Sequence, residues 1–207
     1  MTFFPYTLMN AGYVVIGSTL APTVHWDRAL VIVLVYLLAV GISAHALDAM
    51  GPNKPWGQFM SRRQLFVLSL AALVPALPLG IFEAVTYAPL LLVIGVAELF
   101  LLFAYNLELF GSRFHSKAWF AFSWGFLPVL AGYSLQTNAV GLISLAGGLF
   151  GFATAYIEAT ASRPYKLLKK AGVAGGSEEA ARFERILKGI VSCVLSVTSL
   201  LVLIRLV

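Results

Sequence analysis

The sequence predicts an all-α fold: a polytopic bundle of about seven transmembrane helices, forming a single domain over residues 1–207. Three observations carry this expectation. The 207 residues are 60% hydrophobic and only 11% charged, with a mean hydropathy of +0.89, whereas a soluble domain carries roughly 25% charged residues. The apolar residues gather into runs of about 20, the length that crosses ~30 Å of hydrocarbon as a helix. Between those runs the basic residues fall almost entirely on one side, the asymmetry known as the positive-inside rule.

The runs occupy residues 6–24, 29–49, 64–82, 88–106, 118–135, 138–160 and 186–206. Each is closed by breaking or polar residues. "APTVHWDR" follows the first, "GPNKPWG" the second, "FEAVTYAP" the third and "GSRFHSK" the fourth. A short "QTN" joins the fifth to the sixth, and a basic loop at 161–185 precedes the last. Within that loop Ser177 reads as an N-cap followed by acids in the first turn, which predicts a short interfacial helix feeding the final span. "MTFFPYTLMN" lacks a basic leader and a small-residue cleavage site, so it does not read as a signal peptide. Cys193 is the single cysteine. It excludes an internal disulfide, and inside an apolar run it reads as a packing residue and not as a nucleophile.

The loops after helices two, four and six hold 12 of the 14 basic residues: Lys54, Arg62, Arg63, Arg113, Lys117, Arg163, Lys166, Lys169, Lys170, Arg182, Arg185 and Lys188. Only Arg28 and Arg205 lie on the other side. This count predicts an integral protein of the cytoplasmic or inner membrane, with the N-terminus and basic loops cytoplasmic and the C-terminus outside. The net charge of +5 follows from the same asymmetry and suits anionic lipid headgroups. Nucleic acid is a poor partner, because the basic residues flank spans and form no recognition motif.

Ionisable groups inside a span are costly and are functional candidates by default. His45 and Asp48, spaced i, i+3, share one face near the basic end of helix two. Glu158 stands near the basic end of helix six, with Tyr156 before it and Arg163, Tyr165 and Lys166 after it. The topology puts both groups on the same side at similar depth. Oxygen and imidazole groups from two helices, ringed by Lys54, Arg62, Arg63, Arg163 and Lys166, suit an anionic phosphate ligand with or without a metal ion. The alternative is boundary chemistry, with Asp48 capping or pairing with a loop lysine and His45 donating to a carbonyl.

Glu98 sits in the middle of "LLLVIGVAELFLLFAYN". It is expected to be neutral or hydrogen-bonded to another helix, and reads as a packing group ahead of a proton carrier. Glu83, Asp27 and His25 fall in connections on the opposite side and are expected to be solvated. Trp26, Trp56, Trp119 and Trp124 lie near helix boundaries, the ordinary place for indole. His115 reads as a solvated loop histidine, with a headgroup or pigment metal as the alternative. There is no HExxH, GxSxG, P-loop, CxxC or dinucleotide fingerprint. "GGLFG" at 147–151 gives helix six a small face for close packing.

The stretch from 44 to 65 resembles the first signature of the UbiA-type membrane prenyltransferase superfamily. That signature is an N-D-x-x-D-x-x-x-D run ending the second helix, then a segment entering the third. "AHALDAMGP" falls on the aspartate run and "NKPWGQFMSRRQL" on the sequel, with Asn53, Lys54, Pro55, Ser61, Arg62 and Gln64 in place. "FFPYTLMNAGYVVIGSTLAP" is similar to the first helix, with Pro5 and Gly17. "AYNLELFGSRFHSKAWFAFSWGFLPVLAGY" resembles the fourth loop and fifth helix. The match covers roughly residues 5–165.

The departures are as informative. Ala44, His45, Asp48 and Pro52 stand where the family has one asparagine and three aspartates. Glu158 stands alone in the second acidic signature, and seven helices replace the usual nine. In the family, two magnesium ions grip a prenyl diphosphate and assist loss of pyrophosphate. The resemblance therefore implies Asp48 and Glu158 as catalytic, metal-binding residues, with His45 beside them and at most one Mg2+. Lys54, Arg62, Arg163 and Lys166 would hold the diphosphate, and aromatics such as Tyr105, Phe126 and Tyr156 would line a chain tunnel or shield a cation.

Two functions are then open. One is transfer of a prenyl group from its diphosphate to a hydrophobic acceptor. The other is a non-catalytic descendant that binds an isoprenoid, quinone or pigment, or serves as a subunit of a membrane complex. A transporter has less behind it, since no inverted repeat or pair of broken helices is visible.

Overall fold

A computed structural model describes residues 3–51, 59–172 and 177–207. Among the described residues the regular structure is entirely helical, in seven long helices. α1 is Phe3–Leu20 and α2 is Trp26–Ala49. α3 is Arg62–Tyr87, α4 is Leu90–Asn106 and α5 is Lys117–Thr137. α6 is Leu142–Lys170 and α7 is Glu178–Leu206. Two of them change register without breaking: α2 contains a π-helical segment at Ala39–Ala44 and α5 another at Phe122–Phe126.

The number and order of the helices follow the apolar runs, and the ends differ where single residues misled. α3 passes Glu83 and continues to Tyr87, because one carboxylate lowers local hydropathy without removing a backbone hydrogen bond. α6 runs through Pro164 to Lys170. The ring deprives only the carbonyl of Thr160 of its amide, and Thr160 is exposed, where lipid headgroups or water can reach it. Residues 161–170 are therefore helix, and the connection before α7 is shorter than its sequence implies. Ser177 does cap a helix, accepting from the Ala180 amide at 3.3 Å. That helix is α7 itself, unbroken through the final span.

Five helices, α2, α3, α5, α6 and α7, are long and apolar enough to cross a membrane. α4 is apolar but shorter. Large apolar side chains point outward, among them Leu30, Val74, Val93, Val96 and Leu142, while many buried positions are alanine or serine. In water that arrangement would leave a wide greasy surface, whereas a bilayer covers it. The chain is a polytopic integral membrane protein. Cys193 belongs to the outer face of α7 and does not pack within the bundle. Only Ala180, Leu187 and Val194 of α7 are buried, spaced seven apart in a single narrow stripe.

α5 is the axis of the tight half. A Cβ added at Gly17 would stand 2.0 Å from the Val129 carbonyl oxygen, and one at Gly132 would stand 2.0 Å from that of Val14. α1 and α5 therefore meet backbone to backbone, and the Ser18 hydroxyl donates to the Gly132 carbonyl at 3.2 Å. On its other side Gly125 meets Gly151 of α6 at 2.3 Å from an added Cβ, and the Phe126 ring lies across Gly148. This is the close packing that "GGLFG" implies. It also makes Phe126 an interior packing ring, in place of the tunnel wall the resemblance implies.

Candidate functional site

The basic end of the bundle gathers the C-termini of α2, α4 and α6. His45 reaches back along α2, and its Nδ1 lies 2.7 Å from the Val40 carbonyl oxygen. A carbonyl only accepts, so Nδ1 is the donor of this bond. The π segment between the two residues sets this reach of five positions. Asp48 follows one turn later and is in electrostatic contact with His45, as is Lys166 of α6.

Tyr105 closes α4 among aromatic rings. It stacks on His115 at 4.5 Å and meets Trp124 edge-on at 4.9 Å. The His115 Nδ1 donates to the Tyr105 carbonyl at 3.0 Å, so His115 is part of this nest and not a solvated loop group. The loop that delivers it turns through left-handed backbone at Glu108, Phe110 and Ser112. The Arg163 guanidinium acts electrostatically on the Tyr105 hydroxyl, as do Asp48 and Glu158. Glu158 is 5% exposed, and the opposing charge that acts on it is Lys166, about two turns on along the same helix. Tyr6 and Tyr13 of α1 complete its surroundings.

The fold thus brings His45, Asp48, Tyr105, Glu158, Arg163 and Lys166 to one place. Arg62 stands exposed at the first turn of α3, beside a capping box in which Ser61 and Gln64 exchange backbone hydrogen bonds. Lys54 lies outside the described residues. Tyr156 does not join the cluster: it is 42% exposed and stacks on Phe152 along the outer face of α6. Residues two apart on a helix point to opposite sides, so Tyr156 and Glu158 cannot both face inward. Among the described residues no three histidine, cysteine, aspartate or glutamate side chains converge as a metal-binding group.

Beneath the cluster lies an apolar cavity of about 290 Å³ between α2, α3, α4 and α5. Trp124 forms part of its wall and also packs against Tyr105, so the two regions adjoin at this aromatic pair. Trp124 therefore serves the interior and not the membrane boundary. Glu98 lines the cavity and accepts a hydrogen bond from the Tyr36 hydroxyl of α2, the partner on another helix that its depth demands. Sequence reasoning passed over Tyr36, whose signal was a phenol at mid-span in α2.

At the opposite end Glu83 is 3% exposed, in electrostatic contact with Arg28. It is a buried group, not a solvated one, because α3 carries it under the guanidinium that covers the Tyr87 ring at 3.9 Å. His25 is half-buried, its backbone amide donating to the Gln136 side chain at 2.8 Å. Asp27 alone of the three is exposed.

Compared with known proteins, the chain matches no family model, no curated protein and no solved structure.

Proposed function

We propose that the protein is a UbiA-like membrane protein that binds an isoprenoid-type amphiphile through an anionic phosphate head at the basic end. The observation that carries this reading is the convergence of Tyr105, Arg163 and Lys166 with Asp48, His45 and Glu158, from three helices, at one boundary of an apolar bundle. Arg163 and Lys166 are exposed and can turn their donors to a phosphate without leaving the helix. Tyr105 and His45 stand beside them at the same end of the bundle. The prenyl chain then runs into the hydrocarbon layer. The basic end is cytoplasmic in this reading.

Two carboxylates fit one magnesium ion shared with phosphate oxygens, since such sites take only one or two protein carboxylates. They do not fit a two-ion cluster. Asp48 and Glu158 would hold that ion, which when bound neutralises charge on the head group. Arg163 and Lys166 supply the remaining neutralisation. This donor set favours binding over ionisation of the diphosphate, so the non-catalytic form of the family reading has the better support; prenyl transfer would need the same binding step.

The test is titration of a non-hydrolysable prenyl diphosphate into the purified full chain, with and without magnesium. Binding that survives magnesium removal with reduced affinity supports the reading. Asp48→Asn should abolish only the magnesium-dependent part. No binding under either condition would sink it.

A further inference from the structure

The cavity between α2, α3, α4 and α5 has a feature that the charged end does not explain. Ser123, in the π segment of α5, lines it, and the serine is 7% exposed. Its Oγ is buried with no hydrogen-bond partner. A helical serine ordinarily bonds a carbonyl three or four residues back; Ser123, in the shifted register of Phe122–Phe126, does not. An orphan hydroxyl is costly, and buried polar groups in native proteins are overwhelmingly paired. Across the same cavity stands Glu98, whose Oε1 accepts from Tyr36, and whose carboxyl makes no other hydrogen bond among the described residues.

The cavity also has a door. Its exposed wall residues, among them Leu77, Ile81 and Val96, all belong to α3 and α4. Gly80 and Gly95 lie in the same walls, and a Cβ added at Gly95 would meet nothing within 4 Å. The opening therefore faces the hydrocarbon layer between α3 and α4.

We propose that this cavity binds a neutral lipid alcohol or phenol that enters from the bilayer between α3 and α4. The chemistry selects the class. A hydroxyl both donates and accepts, so one ligand group answers the Ser123 hydroxyl and the Glu98 carboxyl together. An alkane leaves Ser123 unpaired. A charged head would have to be desolvated at mid-membrane, which costs far more than one hydrogen bond returns. A volume of about 290 Å³ lies at the small end of ligand pockets, room for a ring or a short segment with the tail left in the portal. The site stands apart from the reading of the charged end, because its lining includes none of His45, Asp48, Tyr105, Glu158, Arg163 or Lys166.

The experiment is photo-crosslinking of the full chain in lipid nanodiscs, with the labelled peptides mapped by mass spectrometry. Three diazirine probes are used: a long-chain alcohol, a long-chain alkylphenol and the matched alkane. The alcohol or the phenol should label the α3 and α4 peptides around Gly80 and Gly95 about tenfold more than the alkane, the worth of one net buried hydrogen bond. Which of the two labels more strongly assigns aliphatic or aromatic ligand. Gly95→Leu fills the open mouth and should remove the labelling at unchanged thermal stability. Ser123→Ala, a change too small to unfold the bundle, should cut the hydroxyl preference severalfold, leaving only what Glu98 supplies. Equal labelling by alkane and hydroxyl probes would overturn the proposal, as would absence of labelling or indifference to Gly95→Leu.

Discussion

The two halves of the bundle are held together by different means. Around α5, the helices α1 and α6 approach until backbone meets backbone, at Gly17 with Gly132 and at Gly125 with Gly151. Around the cavity, α2 packs along α3 while α4 stands off from both, and the polar contacts are single pairs such as Ser43 with Ser69 at 2.7 Å and Tyr36 with Glu98. Without a hydrophobic driving force between helices in lipid, stability comes from close contact of small residues. The tight half therefore supplies a frame, and the loose half is free to hold space. A close-packed protein gives up contact energy for any void, so the position of the void, under a charged cluster and open to lipid, points to use.

Three substitutions would break or sharpen this contrast. Gly132→Leu should have the largest effect, since even a Cβ there meets the Val14 carbonyl at 2.0 Å. It should leave no monodisperse protein after purification. Gly132→Ala should cost about 1–3 kcal/mol of overpacking in a thermal or denaturant unfolding series. Gly95→Ala in the loose half, meeting nothing within 4 Å, should change stability by less than about 0.5 kcal/mol. Equal losses at the two glycines would erase the distinction between frame and cavity.

Tyr36→Phe comes next. It removes the donor to Glu98, and interhelical hydrogen bonds of this kind are worth roughly 0.6–2 kcal/mol in membrane proteins. Unfolding in detergent should show that loss, and Glu98→Gln, which keeps an acceptor oxygen, should lose less. The smallest effect belongs to Arg205→Ala. The Arg205 guanidinium caps the end of α1, donating to the carbonyls of Thr19 at 2.9 Å and Ala21 at 2.6 Å. An exposed cation at a helix C-terminus contributes about 0.3–1 kcal/mol, and the substitution should fray α1 locally, visible as faster amide exchange at its last turn.

Much of the fold was legible because hydrocarbon imposes a length on every span, and seven runs of that length became seven helices. What the sequence obscured were interruptions that cost less than they look. Glu83 and Pro164 read as ends, yet one carboxylate in the field of Arg28 and one missing amide at a membrane boundary do not stop a helix. His45, Asp48 and Glu158 were visible as charges inside spans, and the alternation of the helices placed them together. The electrostatic coupling of Tyr105 to Arg163 was harder, because proximity between α4 and α6 leaves no periodic mark in either. Tyr156 was drawn in by proximity in sequence, although its position two residues from Glu158 already turned it outward. Ser123 carried no sequence signal at all: serine is common in packed membrane helices, and only the missing hydrogen bond distinguishes this one.

The most direct test of the division of labour is affinity measured beside stability. A non-hydrolysable prenyl diphosphate is titrated into wild type and into Arg163→Ala/Lys166→Ala, and the thermal midpoint of each is recorded. Both side chains are exposed, so the midpoint should hold while affinity falls roughly tenfold to a hundredfold, the worth of one or two hydrogen bonds to a charged group. Equal affinity in the two proteins would contradict the assignment of the basic end as the head-group site.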